Sequence, residues 1–201
     1  MSSRPPAGAT ICAFVALELP RVMQTAIAAE IPRLERDLPG IRWMDPLRSH
    51  LTLRFLGWTT RERVSVLQPH LGAAAKACLP LDATISGLGT FPPHGPDRPR
   101  VLWLGVDLPQ SGIRLQAACD AAAVACGFPP ERRVFRAHVT LGRWKEPTRL
   151  RDLPDLELGP TRFERLVLFR TEPGKDFTGP GVRREVSAYS KLGVFPLGAA
   201  P

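Results

Sequence analysis

Ser49-His50-Leu51-Thr52-Leu53-Arg54-Phe55-Leu56-Gly57 and, 88 positions further on, Ala137-His138-Val139-Thr140-Leu141-Gly142-Arg143 are two strand-like runs built on one plan. In an extended chain successive side chains point to opposite faces. His50 and Thr52 therefore share one face, as do His138 and Thr140, while Leu51, Leu53, Val139 and Leu141 turn towards a core. Each run offers one imidazole and one hydroxyl on an apolar back. Strict alternation also puts Arg54 on the His50 face, and it puts Phe55 and Arg143 on the leucine face unless the strands bulge near their ends.

Outward from these runs, a second match appears in register with the first. The strand-like stretch Ile11–Leu17 ends at Glu18-Leu19-Pro20, and Val101-Leu102-Trp103-Leu104-Gly105-Val106 ends at Asp107-Leu108-Pro109, 89 positions later. Helical spacing follows each of them, through Val22, Ala26, Ile27 and Ile31 in one case and from Ile113 to Cys126, closed by Gly127, in the other. Further strands are expected over Ile41–Met44, Leu81–Phe91, Arg162–Phe169 and Glu185–Phe195, with an extended stretch from Arg133 to Trp144 and a helix over Thr60–Cys78. The run from Pro92 to Pro99 holds four prolines and reads as the join between two halves. The expected organisation is a flexible tail over 1–9 and one bilobal domain over 10–201, with repeated halves of about 10–91 and 100–195.

The composition sets the class of partner. Of 201 residues, 27 are Lys or Arg and 19 are Asp or Glu, a net charge of +8 that suits a polyanion such as nucleic acid. The apolar and charged fractions, 44% and 23%, are those of an ordinary globular protein, and no run is long enough to call for a membrane. The four cysteines, Cys12, Cys78, Cys119 and Cys126, lie in apolar stretches without CxxC or zinc spacing, so they read as core thiols of a cytoplasmic protein.

Paired imidazoles suit proton transfer on both sides of a phosphorus atom. Opening a cyclic phosphodiester needs a base to deprotonate the attacking water and an acid to protonate the departing oxygen, and an imidazole with a pKa of about 6.5 can do either near neutral pH. Thr52 and Thr140 can hold the non-bridging oxygens. Asp45, Glu131 and Glu146 are the only carboxylates close in sequence to the two runs, too few and too scattered for a metal site, so neither metal nor cofactor is expected. His70 and His94, the other two histidines, lack the pattern and read as surface residues. Arg48, Arg54, Arg132, Arg133, Arg136, Arg143 and Lys145 could grip phosphates, and Trp43, Phe55 or Trp144 could stack on a base.

Those paired strings, together with Ala13-Phe14-Val15-Ala16, Leu88-Gly89-Thr90-Phe91-Pro92 and Phe135-Arg136-Ala137, resemble the two-histidine (2H) phosphoesterases. Within these they resemble the RNA 2′,3′-cyclic phosphodiesterases, also called 2′-5′ RNA ligase-like proteins. The resemblance implies an α/β (α+β) class, a duplicated bilobal fold with two antiparallel sheets flanking a central V-shaped cleft and helices outside. It implies hydrolysis of RNA 2′,3′-cyclic phosphate ends to 2′-phosphates without metal; apart from the resemblance, a monomer acting on RNA ends is expected. By position it makes His50 and His138 catalytic, Thr52, Thr140 and Arg143 phosphate-binding, and Phe55 a substrate contact; Arg54 and Arg136 are added as substrate contacts from their places beside the motifs. Ala137 stands where the family often has proline, Arg170-Thr171 where it commonly has a serine, and Gly179-Pro180 lacks the usual following tyrosine. Three alternatives stay open: a non-catalytic RNA-binding module, action in the ligation direction, and a small cyclic nucleotide as substrate.

Overall fold

A computed structural model of the chain describes residues 10–93, 99–146, 150, 152–172, 177–179, 182–184 and 188–198. The tail over 1–9, His94 and Pro180 lie outside the described residues.

The first strand, β1 (Thr10–Glu18), is followed by α1 (Arg21–Asp37) and the short strand β2 (Ile41–Trp43). A single 3₁₀ turn over Pro46–Arg48, capped by the Asp45 side chain on Leu47 N–H at 3.0 Å, then delivers the chain into β3 (His50–Thr60). Thr60 ends that strand and caps α2 (Arg61–Lys76) by accepting from Arg63 N–H at 3.3 Å. There follow β4 (Leu81–Phe91), β5 (Val101–Asp107), α3 (Gln110–Ala125), β6 (His138–Trp144), β7 (Glu157–Phe163), β8 (Arg165–Glu172), β9 (Phe177–Gly179), β10 (Val182–Arg184) and β11 (Ala188–Pro196). β9 and β10 pair with each other.

The remaining strands form one antiparallel sheet in the order β11-β8-β1-β3-β6-β5-β4-β7, with β2 on β6. Along that path it consists of two four-stranded halves, β2 being a ninth strand on the second, and the two expected sheets are thereby continuous. What joins β3 to β6 is the pair Leu51↔Val139, the residue between His and Thr in each run. The two runs are thus related by an approximate two-fold axis through that pair. The lobes do not coincide with the sequence halves: β4 from the first half lies beside β5, while from the second half β8 lies beside β1 and β11 beside β8.

The apolar positions of the repeat meet in one core. Leu17, Leu51, Leu104 and Val139 are fully buried, joined by Leu67 and Leu71 of α2 and by Leu115 and Cys119 of α3. Burial pushes the Cys119 thiol up to about 12. Cys78 is also buried, whereas Cys12 and Cys126 are only half-buried, so two of the four expected core thiols reach towards the surface.

Two expected elements differ. The run Arg162–Phe169 divides at Glu164 between β7 and β8, because its halves pair with different partners, β4 and β1. The stretch Arg133–Trp144 becomes a strand only from His138, its earlier backbone being held by side chains described below.

Candidate active site

Each histidine opens its strand, and each ring is fixed in the same way. Nδ1 of His50 lies 2.9 Å from the Arg48 carbonyl, and Nδ1 of His138 lies 2.7 Å from the Arg136 carbonyl. A carbonyl can only accept, so Nδ1 carries the proton in both, and Nε2 is left to exchange protons with a ligand. The anchoring residues are themselves 88 positions apart, so the two-fold relation extends to the tautomer.

A further equivalence decides which side chains reach the cleft. In the β1–β3 ladder Ala16 pairs with Thr52 and Val15 with Arg54, leaving Leu53 as an extra residue. In the β5–β6 ladder Trp103 pairs with Thr140 and Leu102 with Gly142, leaving Leu141 extra at the matching place. Each bulge inverts the alternation beyond it. Phe55 therefore emerges 51% exposed into the cleft, and Arg143 emerges at the same position of the other strand. Gly142, beside the second bulge, admits β2: a Cβ there would stand 2.5 Å from Ile41 Cγ2 and 2.7 Å from the Arg42 carbonyl.

The same inversion overturns the alternation-based expectation for Arg54. It borders the cleft, but it is 5% exposed, and its guanidinium is turned to the chain behind: 2.7 Å from Asp120 Oδ1, off the line of a hydrogen bond, and donating to the Phe55 and Pro129 carbonyls. Arg136 stays at the cleft, exposed, with its guanidinium 5.4 Å from the centroid of the Trp103 ring. Trp43 and Trp144, at 3% and 5% exposure, belong to the core and cannot stack on a ligand.

The cleft has two chambers that share Thr52, Phe55, Thr140 and Arg143. One, of about 430 Å³, holds His138 with Arg133, Arg136, Val134 and Phe135. The other, of about 200 Å³, holds His50 with Phe14, Arg48, Thr171 and Tyr189. Aromatic rings set each imidazole in place. His50 stacks on Phe14 at 4.8 Å and meets the edge of Tyr189 at 5.2 Å; His138 meets Phe91 at 4.9 Å and Trp103 at 6.0 Å. Phe14 and Trp103 carry no motif that marks them as ring partners, although they share the 89-residue offset that relates Glu18 to Asp107. The Trp103 ring covers Gly89, where a Cβ would fall 2.1 Å from it.

Burial holds both imidazoles below their ordinary pKa. For each, the bond to the Arg carbonyl opposes burial, since it favours the charged ring. The charge of His138 adds to the lowering of His50, and the charges of Arg136 and Arg143 add to that of His138. Among the described residues, no three His, Cys, Asp or Glu side chains gather as metal ligands, and no helix is long and apolar enough to cross a membrane.

Comparisons with known proteins point to one family. Residues 23–173 match the model of the 2′-5′ RNA ligase superfamily. The chain is 28% identical over 167 residues to the RNA 2′,3′-cyclic phosphodiesterase of Methanothermobacter thermautotrophicus, covering 80% of this chain and 89% of that protein. It is 30% identical over 155 residues to the protein of the same name from Aquifex aeolicus, covering 70% and 78%. Among solved structures, TT0787 of Thermus thermophilus superposes with a TM-score of 0.76 at 26% identity, covering 94% of this chain and 98% of that one. LigT of E. coli, solved with 3′-AMP, gives the same TM-score at 22% identity, covering 94% and 99%. By its matched family model, its relatives and its fold, the chain belongs to the 2′-5′ RNA ligase superfamily.

Proposed function

We propose that the protein hydrolyses the 2′,3′-cyclic phosphate at an RNA end to a 2′-phosphate, with His50 and His138 as the acid–base pair and no metal. The observation that carries this reading is the two-fold pair of imidazoles, each with Nδ1–H donated to the carbonyl two residues earlier and Nε2 left for the ligand.

His138 Nε2 accepts a proton from water as the water oxygen bonds to phosphorus. The P–O3′ bond breaks, and His50 Nε2–H gives its proton to O3′, leaving a 2′-phosphate and a 3′-hydroxyl. The charges support this division of roles. Arg136 and Arg143 disfavour a proton on His138, which suits a base. The charge that opposes a proton on His50 is that of His138 itself, and the negative phosphate offsets it on arrival. Thr52 and Thr140, bordering both chambers, hold the non-bridging oxygens, and Arg143 balances the charge that gathers on them. Phe55 and Arg136 border the same space as contacts for the terminal nucleotide and its strand.

The test is product identity. Incubated with an RNA carrying a 2′,3′-cyclic end, the protein should yield only the 2′-phosphate by chromatography, at a rate indifferent to EDTA. His50→Ala and His138→Ala should each cut turnover about 10²- to 10⁴-fold. Full activity in either variant would sink the scheme. RNA binding that survives both substitutions, with no turnover in the parent protein, would leave a binding module instead.

A further inference from the structure

We propose that Arg54 is a positioning residue: it pins the segment over residues 128–137 to β3 and so holds the Arg136 carbonyl that orients His138. The proposal rests on the acid–base reading above for its effect on rate, and on geometry for the pin itself.

The segment lacks a ladder of its own. Between α3 and β6 the backbone forms neither helix nor strand; β5 ties its last residue, through Val106 N–H donated to the Ala137 carbonyl at 3.2 Å, and leaves the stretch from Pro129 to Arg136, whose last carbonyl accepts from His138 Nδ1–H, strung between that tie and α3. Something must therefore fix it. Arg54 enters from β3, on the other side of the two-fold axis, and meets the segment at its beginning. One guanidinium nitrogen donates to the Pro129 carbonyl, and another lies 3.8 Å from Glu131. Nε faces Asp120 of α3, and Nη1 also donates to the Phe55 carbonyl at 3.1 Å. A planar five-donor group can serve these partners at once; an ammonium cannot.

Glu131 extends the hold. It accepts from the Arg132 and Arg133 amides at 3.0 and 3.1 Å and from the Arg133 side chain at 2.9 Å. Those bonds, led by the Arg133 side chain, draw its carboxyl down to about 2, so it stays charged beside Arg54. Gln116 of α3 donates to the carbonyl of Leu53, the bulged residue, at 3.4 Å and ties the same helix to the same strand. The His50 side has no such need, because the short turn over Pro46–Arg48, capped by Asp45, fixes the Arg48 carbonyl locally.

The pin predicts an effect centred on one histidine. In Arg54→Lys, which keeps a cation for Asp120 but loses the fork, hydrogen exchange should speed up about tenfold or more in the segment amides and stay unchanged in α1 and β4. The NMR titration of His138 should move down, because the Arg136 carbonyl bond that favours its charged ring is loosened, with at most a small opposite shift at His50, which feels the His138 charge. On a cyclic-phosphate RNA, kcat should fall about tenfold to a hundredfold with KM little altered, a range set by sub-ångström misplacement of a reacting group. Arg54→Gln should lose more and Asp120→Asn less, so the series stays readable if one variant folds poorly. Unchanged segment exchange and His138 titration would overturn the proposal. A rise in KM alone would overturn it in favour of a phosphate contact, and uniformly faster exchange would make Arg54 an ordinary core ion pair. If the parent protein turns over no cyclic phosphate, the functional reading fails, while exchange and titration still decide the pin.

Discussion

The His50 and His138 sides of the cleft share a backbone plan and differ in what lines it. On the first, an imidazole sits among three rings, Phe14, Phe169 and Tyr189, above the smaller chamber. On the second, two rings and three arginines, Arg133, Arg136 and Arg143, surround the larger one. At the position beyond the bulge, the first carries Phe55 and the second Arg143. The repeated plan supplies two equivalently placed imidazoles, and their linings differ in degree: rings crowd the first and arginines the second, while Arg48 and the shared Arg143 keep charge beside His50 as well. Two imidazoles in identical surroundings would titrate alike; here, beyond the burial they share, one is also held down by arginine charge and the other by its partner histidine.

The largest expected effect tests whether the two sides act as a unit. If they do, the double variant His50→Ala/His138→Ala should be about as slow in single turnover as the worse single variant, since residues that cooperate in one step are strongly non-additive. Additive losses would mean independent roles.

Exchanging the character of the two sides should come next. Arg143→Ala should lower kcat/KM on cyclic-phosphate RNA about 10²- to 10³-fold, as loss of a charge-stabilising donor does, and reduce the salt dependence of binding. Phe55→Ala should cost about 1–3 kcal/mol of binding, read as a higher KM with the salt slope unchanged. Equal salt slopes for the two variants would erase the distinction between them.

A smaller effect is expected in the pH profile. Both histidines are depressed in the free protein, so the bell of kcat/KM should be centred below about 6.5. Arg143→Gln removes one charge that lowers His138, so that group's limb should move up in pH. If His138 is the base, the acid limb is the one that moves; movement of the alkaline limb would reverse the roles. Stability carries the same sign. Groups with lowered imidazole pKa bind fewer protons folded than unfolded, so their contribution is full above about 6.5 and is lost as pH falls towards the folded values. Melting temperature should therefore drop between pH 7 and 5, and less so in the double alanine variant.

The smallest expected effect is structural and one-sided. Gly89→Ala forces the Trp103 ring off β4 and should cost about 1–3 kcal/mol by denaturant melt, displacing the ring beside His138 while leaving the Phe14 stack on His50 intact. A change in both histidine titrations would show that the sides are less separate than their linings suggest.

How much of this could be read beforehand depends on the range of the interaction. Thr60 as the start of α2, Gly127 after α3 and the histidine–threonine faces are local, and periodicity or capping chemistry reveals them. The fate of Arg54 was not legible, because one extra residue at Leu53, defined only by pairing with β1, turns it inward. The same holds for Arg143 and Phe55, whose cleft positions followed from resemblance while alternation opposed them. The exchange of β4 and β8 between lobes leaves no mark on hydrophobic spacing, which records that a face is buried and not by what. The irregular run before His138 read as extended because its fixing partners, on β3 and α3, lie up to 75 residues away.

The pair Leu51↔Val139 has a mechanical meaning as well. Where two arms meet at a point, rotation displaces each atom in proportion to its distance from the pivot. His50 and His138 adjoin that point in the chain, whereas Val134 and Arg133 stand at the outer mouth, 96% and 76% exposed. Parting the arms to admit a strand is therefore resisted at the mouth, where Arg54 of β3 ties the start of the Arg133 segment across, and it stirs the two imidazoles beside the joint least.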